Sequence, residues 1–377
     1  MVKTALVLGG TGPTGPFIVE GLLDRGYAVT IMHGGFHEIA FSRPVEHIHG
    51  DVHFQETLEE ALGNRAFDLT VFTYGRLRVT AEVMKGRTER FISAGGGAVA
   101  RADDPRWGLL GPPMALTEEA PTQDDPNLDR FSYLMQESEQ VVLRAHREGL
   151  YMGTVFRYPM LYGPRQLGQR DWCIVRRILD KRPHYIIADG GIKLESQAYG
   201  ENAAQFILLA VDKPNESGGE IFFVSDERTI TMKQRIDYIT AVMNYDWELV
   251  NMPYELAKPC HPFWRGQGHQ IRDITKAKTL LGYKDVVPVE GAIERSVKWL
   301  LENRPEPGGE LETQLNESFN YTGEDELIQV YKQGIARAKE IPYADYVWAH
   351  PYRHPRKPGE AWKPTRWQRR FDTDRRP

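Results

Sequence analysis

The sequence predicts an α/β fold: a doubly wound parallel sheet, a smaller C-terminal substrate lobe and an irregular C-terminal tail. Three observations carry this prediction. Short β-branched runs alternate with helical stretches up to about residue 158, the rhythm of strands joined by crossover helices. A glycine-rich turn joins the first strand to the first helix. After Pro305 the composition shifts, and the last residues are rich in Pro, Arg and Trp without periodicity.

The elements follow in order along the first part of the chain. The first helix is well marked, because Pro13 and Pro16 suit its first turn and Gly26 stands just beyond its end. Because crossover helices cover both faces of such a sheet, its strands should be buried. The predicted strands are TALVL, AVTIM, VEHIHG, DLTVFT, RFISAG and MGTVFRY.

Domain boundaries follow from where the rhythm changes. Residues 1–160 should form the nucleotide-binding domain, which is a Rossmann fold, with elements near 200–230 returning to its sheet. Residues 161–305 should form the substrate lobe, and residues 306–377 a C-terminal extension that could wrap the surface or a neighbouring subunit.

Composition narrows the partners to a small molecule. The chain has 377 residues, with 47 basic against 52 acidic side chains and a pI near 6.2, so neither nucleic acid nor an anionic membrane is expected as a partner. The start MVKTALVLGG lacks a signal-peptide pattern, and no apolar run approaches the length of a membrane span. Two cysteines, Cys173 and Cys260, lack CxxC spacing. A reducing, cytoplasmic location is therefore expected.

The glycine turn predicts a dinucleotide site. Gly9, Gly12 and Gly15 follow an apolar strand and open a helix, where glycine permits a tight turn and close approach of the backbone to a pyrophosphate. A tight turn without a ligand is the alternative. The predicted cofactor contacts in this loop are Gly9, Thr11, Gly12, Pro13, Thr14 and Gly15.

The end of the second strand bears on the choice of cofactor. An NAD site usually has an acid there, but this chain has His33 and no acid until Glu38. We therefore expect NADP, with NAD as the alternative, and His33, His37 and Arg43 could contact a 2′-phosphate. Asp51 either reaches adenine or caps the following helix. The remaining predicted cofactor contacts are Val52, Thr73, Tyr74 and Tyr158.

Several separated segments resemble the extended short-chain dehydrogenase/reductase group, the NAD-dependent epimerase/dehydratase family. They are GGTGPTG, GDVHF, FRYPMLYGPR, GGEIFFVSDERTITMKQ and DITKAKTLLGY, and together they span roughly residues 4–302. The resemblance implies the fold described above, a bound nicotinamide dinucleotide and a small substrate.

The family's catalytic Lys and Ser or Thr are missing, and whether its Tyr is kept depends on the alignment. The resemblance implies a Tyr, a Lys four residues later and a Ser or Thr after the fifth strand, where this chain has Ala98. Two alignments of the following helix remain open. One places Tyr133 and Glu137 at the Tyr and Lys positions, and the other places Phe131 and Met135 there. The candidate catalytic residues are Tyr133, Tyr74 and Glu137.

Substrate contacts are expected at the mouth of the lobe, and aromatic side chains nearby favour an apolar or aromatic substrate. A metal is not expected, because His261 and His269 are eight residues apart without a carboxylate at ligand spacing. The predicted substrate contacts are Arg76, Tyr162, Arg165, His261 and Arg265.

Two functions remain open at this stage, an NAD(P)-dependent oxidoreductase or epimerase/dehydratase with a degenerate site, and a non-catalytic dinucleotide sensor or scaffold. A homodimer is expected, because LRVTAEVM and YLMQESEQVVL offer apolar stripes for packing across a two-fold axis.

Overall fold

The computed structural model describes residues 2–35, 38–168, 170–257, 268–315, 317–342 and 357–360. Seven parallel strands form one sheet in the order β11-β7-β5-β4-β1-β2-β3, which confirms the predicted fold class. The strands are β1 Thr4–Leu8, β2 Ala28–His33, β3 Glu46–His49, β4 Phe67–Phe72, β5 Thr88–Gly96, β6 Ala115–Leu116, β7 Met152–Tyr158, β8 Met160–Tyr162, β9 His184–Ala188, β10 Gln197–Tyr199, β11 Ile221–Phe223, β12 Glu248–Met252 and β13 Ile271–Arg272.

Helices cover both faces of this sheet. The helices are α1 Gly15–Asp24, α2 Gln55–Leu62, α3 Leu77–Val83, α4 Arg130–Arg147, α5 Trp172–Leu179, α6 Gly200–Asp212, α7 Pro214–Ser217, α8 Met232–Val242, α9 Tyr254–Ala257, α10 Thr275–Leu281, α11 Val289–Glu302, α12 Glu310–Leu315 and α13 Tyr321–Lys339. Along β1, Val7 faces the core under α1 and α6, whereas Leu6 and Leu8 face the core under α2, α3 and α4. This alternation buries the strand on both sides.

The order of strands fixes where a ligand can bind. The chain leaves β1 for β2 and β3 on one side, then returns to β4 and β5 on the other. The carboxyl ends of the strands on either side of such a reversal form the crevice in which doubly wound folds bind ligands. The glycine turn after β1 lies at this crevice.

Outside the main sheet, three short parallel pairs build the rest of the first compact unit: β8 with β10, β9 with β12, and β6 with β13. This unit comprises the described residues up to Asn320, and the described residues from Tyr321 onward form a second unit. The region predicted as an extension contains the helices α12 and α13. His37, His261 and Arg265 lie outside the described residues.

The apolar stripes that suggested a dimer are used inside the chain. Leu77 and Ala81 of α3, and Val141 and Val142 of α4, are all buried in the core on one face of the sheet. Leu134 of α4 is 39% exposed, so only part of the predicted stripe is free and the homodimer stays a prediction. Within the part of the chain that the structure describes, no helix combines the length and apolar character needed to cross a bilayer.

Candidate active site

The glycine turn forms a tight cradle between β1 and α1. Gly9 has a φ of +96°, and a Cβ on it would lie 2.4 Å from Oγ1 of Thr73, so only glycine fits. A Cβ on Gly15 would lie 2.3 Å from the carbonyl carbon of Gly10, which shows how closely the helix packs on the turn. A Cβ on Gly12 would meet only Gly9 O, at 3.7 Å. The loop therefore has room at Gly12 and nowhere else of the three.

Neighbouring side chains hold the backbone of the glycine turn in place. Thr73 at the end of β4 donates its hydroxyl to the carbonyl of Leu8, at 3.0 Å. Thr14 is buried in the turn, and the hydroxyl of Tyr158 donates to the carbonyl of Ala203 at 3.4 Å. Burial raises the pKa of Tyr158. Thr73 therefore supports the glycine loop directly, whereas Tyr158 is bonded to α6.

The loops after β3 and β4 place a tyrosine, a histidine and a carboxylate together. The carboxylate of Asp51 accepts hydrogen bonds from the backbone N–H of His53 at 2.8 Å and from its Nδ1 at 2.7 Å. The backbone bond is the main cause that lowers the pKa of Asp51. The ring of His53 meets Tyr74 edge to face, with centroids 5.4 Å apart. Asp51 therefore turns the loop rather than bonding the first N–H groups of α2.

Tyr74 and Arg76 stand at the rim of the crevice. Tyr74 directly follows Thr73, the residue that lies against Gly9, and its side chain is 52% exposed. Arg76 is exposed, and its guanidinium lies 4.9 Å from the ring centroid of Phe54. Val52 is buried against Gly75. The tyrosine hydroxyl and the arginine are thus accessible to a ligand, whereas Val52 shapes the wall.

A buried ion pair orients α4 against the sheet. Arg157 of β7 donates to the carboxylate of Glu139 from Nε at 3.0 Å and from Nη2 at 2.9 Å, and both side chains are almost fully buried. One turn earlier, Met135 lies against Gly96 at the end of β5. Burial raises the pKa of Glu139, and Arg157 opposes that shift. The helix face that carries Glu139 and Met135 is therefore the face toward the sheet.

This orientation separates the two alignments that the sequence left open. At about 100° per residue, Phe131 and Met135 stand on the side of α4 that carries Glu139. Tyr133 and Glu137 lie about 120° and 160° from Glu139 around the same helix. The geometry thus favours the alignment in which an aromatic and a thioether replace the tyrosine and lysine. Ala98, exposed after β5, supplies no hydroxyl.

Tyr162, predicted to contact substrate, is engaged inside the lobe. Its hydroxyl donates to the carboxylate of Asp226 at 2.7 Å, and the guanidinium of Arg235 lies 4.3 Å from its ring centroid. Burial is the main cause that raises its pKa well above the usual value. Arg165, with a φ of +64°, is exposed at the turn after β8. Of these two, only Arg165 is open to solvent.

The sequence has no acid between His33 and Glu38, but the structure brings Glu38 itself to the end of β2. The carboxylate of Glu38 comes within 3.9 Å of Nε2 of His33, and it also contacts His47 and His49. Arg43 donates instead to the carbonyl of Leu23 at the far end of α1. The separation of Glu38 from His33 along the chain concealed this contact.

Comparison with known proteins finds two kinds of relatives, and no family model matches the chain. The uncharacterized protein y4nL of Sinorhizobium fredii is 28% identical over 212 residues, which cover 50% of this chain and 58% of that protein. The match therefore spans less than two thirds of that relative. The sterol-4-alpha-carboxylate 3-dehydrogenase (decarboxylating) of Bos taurus is 23% identical over 342 residues, covering 78% of this chain and 92% of the relative.

Solved structures identify the fold. The UDP-glucose 4-epimerase of Thermotoga maritima, solved with UDP-glucose, has a TM-score of 0.64 at 19% identity, covering 80% of this chain and all of that chain. The dTDP-glucose 4,6-dehydratase of Bacillus anthracis, solved with NAD, has a TM-score of 0.60 at 15% identity, covering 80% and 97%. The chain is thus a doubly wound α/β protein with a glycine turn at the carboxyl end of β1. More narrowly, its fold is that of the extended short-chain dehydrogenases/reductases, which confirms the resemblance.

Proposed function

We propose that this protein is an enzyme that binds a nicotinamide dinucleotide and carries out oxidation–reduction, epimerisation or dehydration on a small molecule. The glycine cradle carries the proposal. Gly9 and Gly15 have no room for a side chain, whereas Gly12 has room that the protein itself does not use. A backbone kept free of side chains at a helix N-terminus suits a pyrophosphate.

The residues around the cradle fit the cofactor. The loop from Gly9 to Gly15 would hold the pyrophosphate, Asp51 and Val52 would border the adenine, and Tyr74 would border the nicotinamide ribose. When bound, the nicotinamide ring supplies a hydride donor or acceptor. Side chains of this protein would bind and orient the substrate and transfer its protons.

Tyr74 is the best-placed group for proton transfer. Its hydroxyl is exposed at the end of β4, next to the cradle, and its ring contacts His53, which Asp51 holds. A tyrosine hydroxyl in this position can give a proton to a substrate oxygen or take one from it. Tyr133 and Glu137, on the other side of α4 from Glu139, are second candidates.

The α4 face supports the proposal of an apolar or aromatic substrate. Phe131 is 68% exposed and stands one turn before Met135, where the family has the polar tyrosine and lysine. An apolar surface in that position binds apolar groups by excluding water from both partners. One relative is, by its name, a dehydrogenase of a sterol carboxylate. Arg76 and Arg165 at the rim would hold a polar end.

We infer that the protein prefers NAD over NADP when no metal ion is bound near Glu38. The negative charge of Glu38 lies beside His33 at the end of β2, where a 2′-phosphate would have to fit. The expectation of NADP rested on a missing acid, and Arg43 is bound at α1.

Replacement of Gly12 by valine tests the proposal. The variant should fold normally, because the new Cβ meets only Gly9 O at 3.7 Å, but its side chain should block the pyrophosphate. We expect calorimetry to show at least a 100-fold loss of NADH affinity (about 2.7 kcal/mol) with an unchanged melting temperature. Gly268→Val is the control, because Gly268 has no atom within 4 Å of a Cβ. Equal affinity in both variants would overturn the proposal.

A further inference from the structure

Three histidines and a glutamate lie close together at the ends of β2 and β3. We call His33, Glu38, His47 and His49 the His–Glu cluster. His33 lies opposite His49 in the parallel pairing of β2 with β3. His47 and His49 are two residues apart on one strand, so their side chains point to the same face. Sheet register, rather than a loop, therefore brings the three imidazoles together.

The ring nitrogens and the carboxylate lie close to one another. Nε2 of His33 is 3.1 Å from Nδ1 of His47. The Glu38 carboxylate is 3.0 Å from Nδ1 of His47 and 2.9 Å from Nε2 of His49. All four ligand atoms lie within 4.8 Å of one another. Tetrahedral ligands about 2.0–2.1 Å from a zinc ion stand about 3.4 Å apart, so the spacing is close to that of a metal site.

One ring nitrogen of the cluster has two close partners. Nδ1 of His47 has one in-plane direction for a proton or a lone pair, yet it lies 3.1 Å from Nε2 of His33 and 3.0 Å from the carboxylate of Glu38. A single proton there would have to be shared in a three-centre bond, which is weaker than two linear hydrogen bonds. A cation at the centre would receive lone pairs from all four groups without needing a proton between them.

We propose that the His–Glu cluster binds a divalent transition-metal ion of the zinc type. The ligands are Nε2 of His33, Nδ1 of His47, Nε2 of His49 and a carboxylate oxygen of Glu38. Three imidazoles and one carboxylate suit zinc, cobalt or nickel better than magnesium or calcium, which prefer oxygen. Burial lowers the pKa of His33, which keeps this ring in the neutral form that metals bind. The site was not expected from sequence, where only His261 and His269 were weighed.

One hydrogen bond has to change for the metal to bind. The backbone N–H of Gly35 donates to Nδ1 of His33 at 3.1 Å, whereas coordination through Nε2 leaves a proton on Nδ1. Gly35 has a φ of +80° and is exposed, so its peptide can turn away at small cost. The ion would then fasten the segment after β2 to the end of β3.

Cobalt spectroscopy tests this proposal directly. The full chain, stripped of metal by a chelator, should take up one Co²⁺ with the intense visible bands of a four-coordinate site, and zinc should displace it. Affinity should fall as the pH drops from about 7.5 to 5.5, because the imidazoles must be neutral to bind.

Variants separate a built site from chance binding. His47→Ala and His49→Ala should each weaken cobalt binding by about 100-fold or more, since even second-shell changes cost up to that factor. His184→Ala is the matched control, because His184 forms a comparable pair with Glu248 on another sheet. Circular dichroism melting checks that the variants fold. Unchanged affinity in His47→Ala and His49→Ala would mean an adventitious ion only. Either that result or no uptake by the native chain would overturn the proposal.

Discussion

Replacement of Glu139 by alanine tests the packing of α4 on the sheet. Arg157 is 3% exposed and directs two of its three guanidinium nitrogens at Glu139. Among the residues that the structure describes, its third nitrogen, Nη1, has one hydrogen bond, to the carbonyl of Glu118 at 3.2 Å. Without the carboxylate, the arginine would keep its charge in a buried site with that backbone acceptor.

The expected cost is large for a single substitution. Removing one partner of a buried ion pair costs about 3–5 kcal/mol, because the other charge stays buried and uncompensated. Urea unfolding followed by circular dichroism should show this loss as a lower midpoint at constant slope. Glu201→Ala is the control. Glu201 pairs with Arg295 at the surface, 2.9 Å apart, and such pairs are worth about 1 kcal/mol or less.

The double variant Glu139→Leu with Arg157→Leu sharpens the test. It removes both charges, so it should recover much of the stability that Glu139→Ala loses. A cost below about 1 kcal/mol for Glu139→Ala would show that this side chain does not face the buried arginine. In that case the orientation of α4, and with it the position of Phe131 and Met135, would be wrong.

The remaining predictions concern chemistry and cofactor choice. Tyr74→Phe should lower turnover by about 100-fold or more at nearly unchanged NADH affinity, because only a proton donor is lost; steady-state kinetics on a converted substrate would show it. Tyr133→Phe should leave turnover within about twofold, and a loss equal to that of Tyr74→Phe would restore the other alignment. Zinc should raise NADPH affinity relative to NADH affinity, because the two positive charges of the ion would outweigh the negative charge of Glu38. Calorimetry with both cofactors, with and without zinc, measures the ratio, and an unchanged ratio contradicts the argument.

The sequence was most informative where local chemistry determines structure. Each of the six strands named from β-branched runs appears in the main sheet. Short apolar runs of this kind are typical of parallel strands that helices cover on both faces. The glycine turn was equally clear from the sequence. Two of its glycines meet steric demands, the positive φ of Gly9 and the close packing of Gly15 on Gly10.

Contacts between distant residues were harder to predict. The alignment of α4 stayed open because Arg157, which fixes it, comes 18 residues after Glu139. The position of Glu38 depends on how a loop folds back, and no periodicity reports that. The pairing of Tyr162 with Asp226 spans 64 residues. One signal was present and went unused, the two-residue spacing of His47 and His49 on a predicted strand, which places both on one face.

The central claim is that a nicotinamide dinucleotide binds in the glycine cradle, and calorimetric titration of the native chain with NADH tests it most directly. The account predicts one site per chain, with affinity lost in Gly12→Val and retained in Gly268→Val. Binding without turnover of any carbonyl, alcohol or alkene would keep the cradle and favour a sensor over an enzyme. The absence of binding to NADH, NAD⁺, NADPH and NADP⁺ at millimolar concentration would contradict the claim.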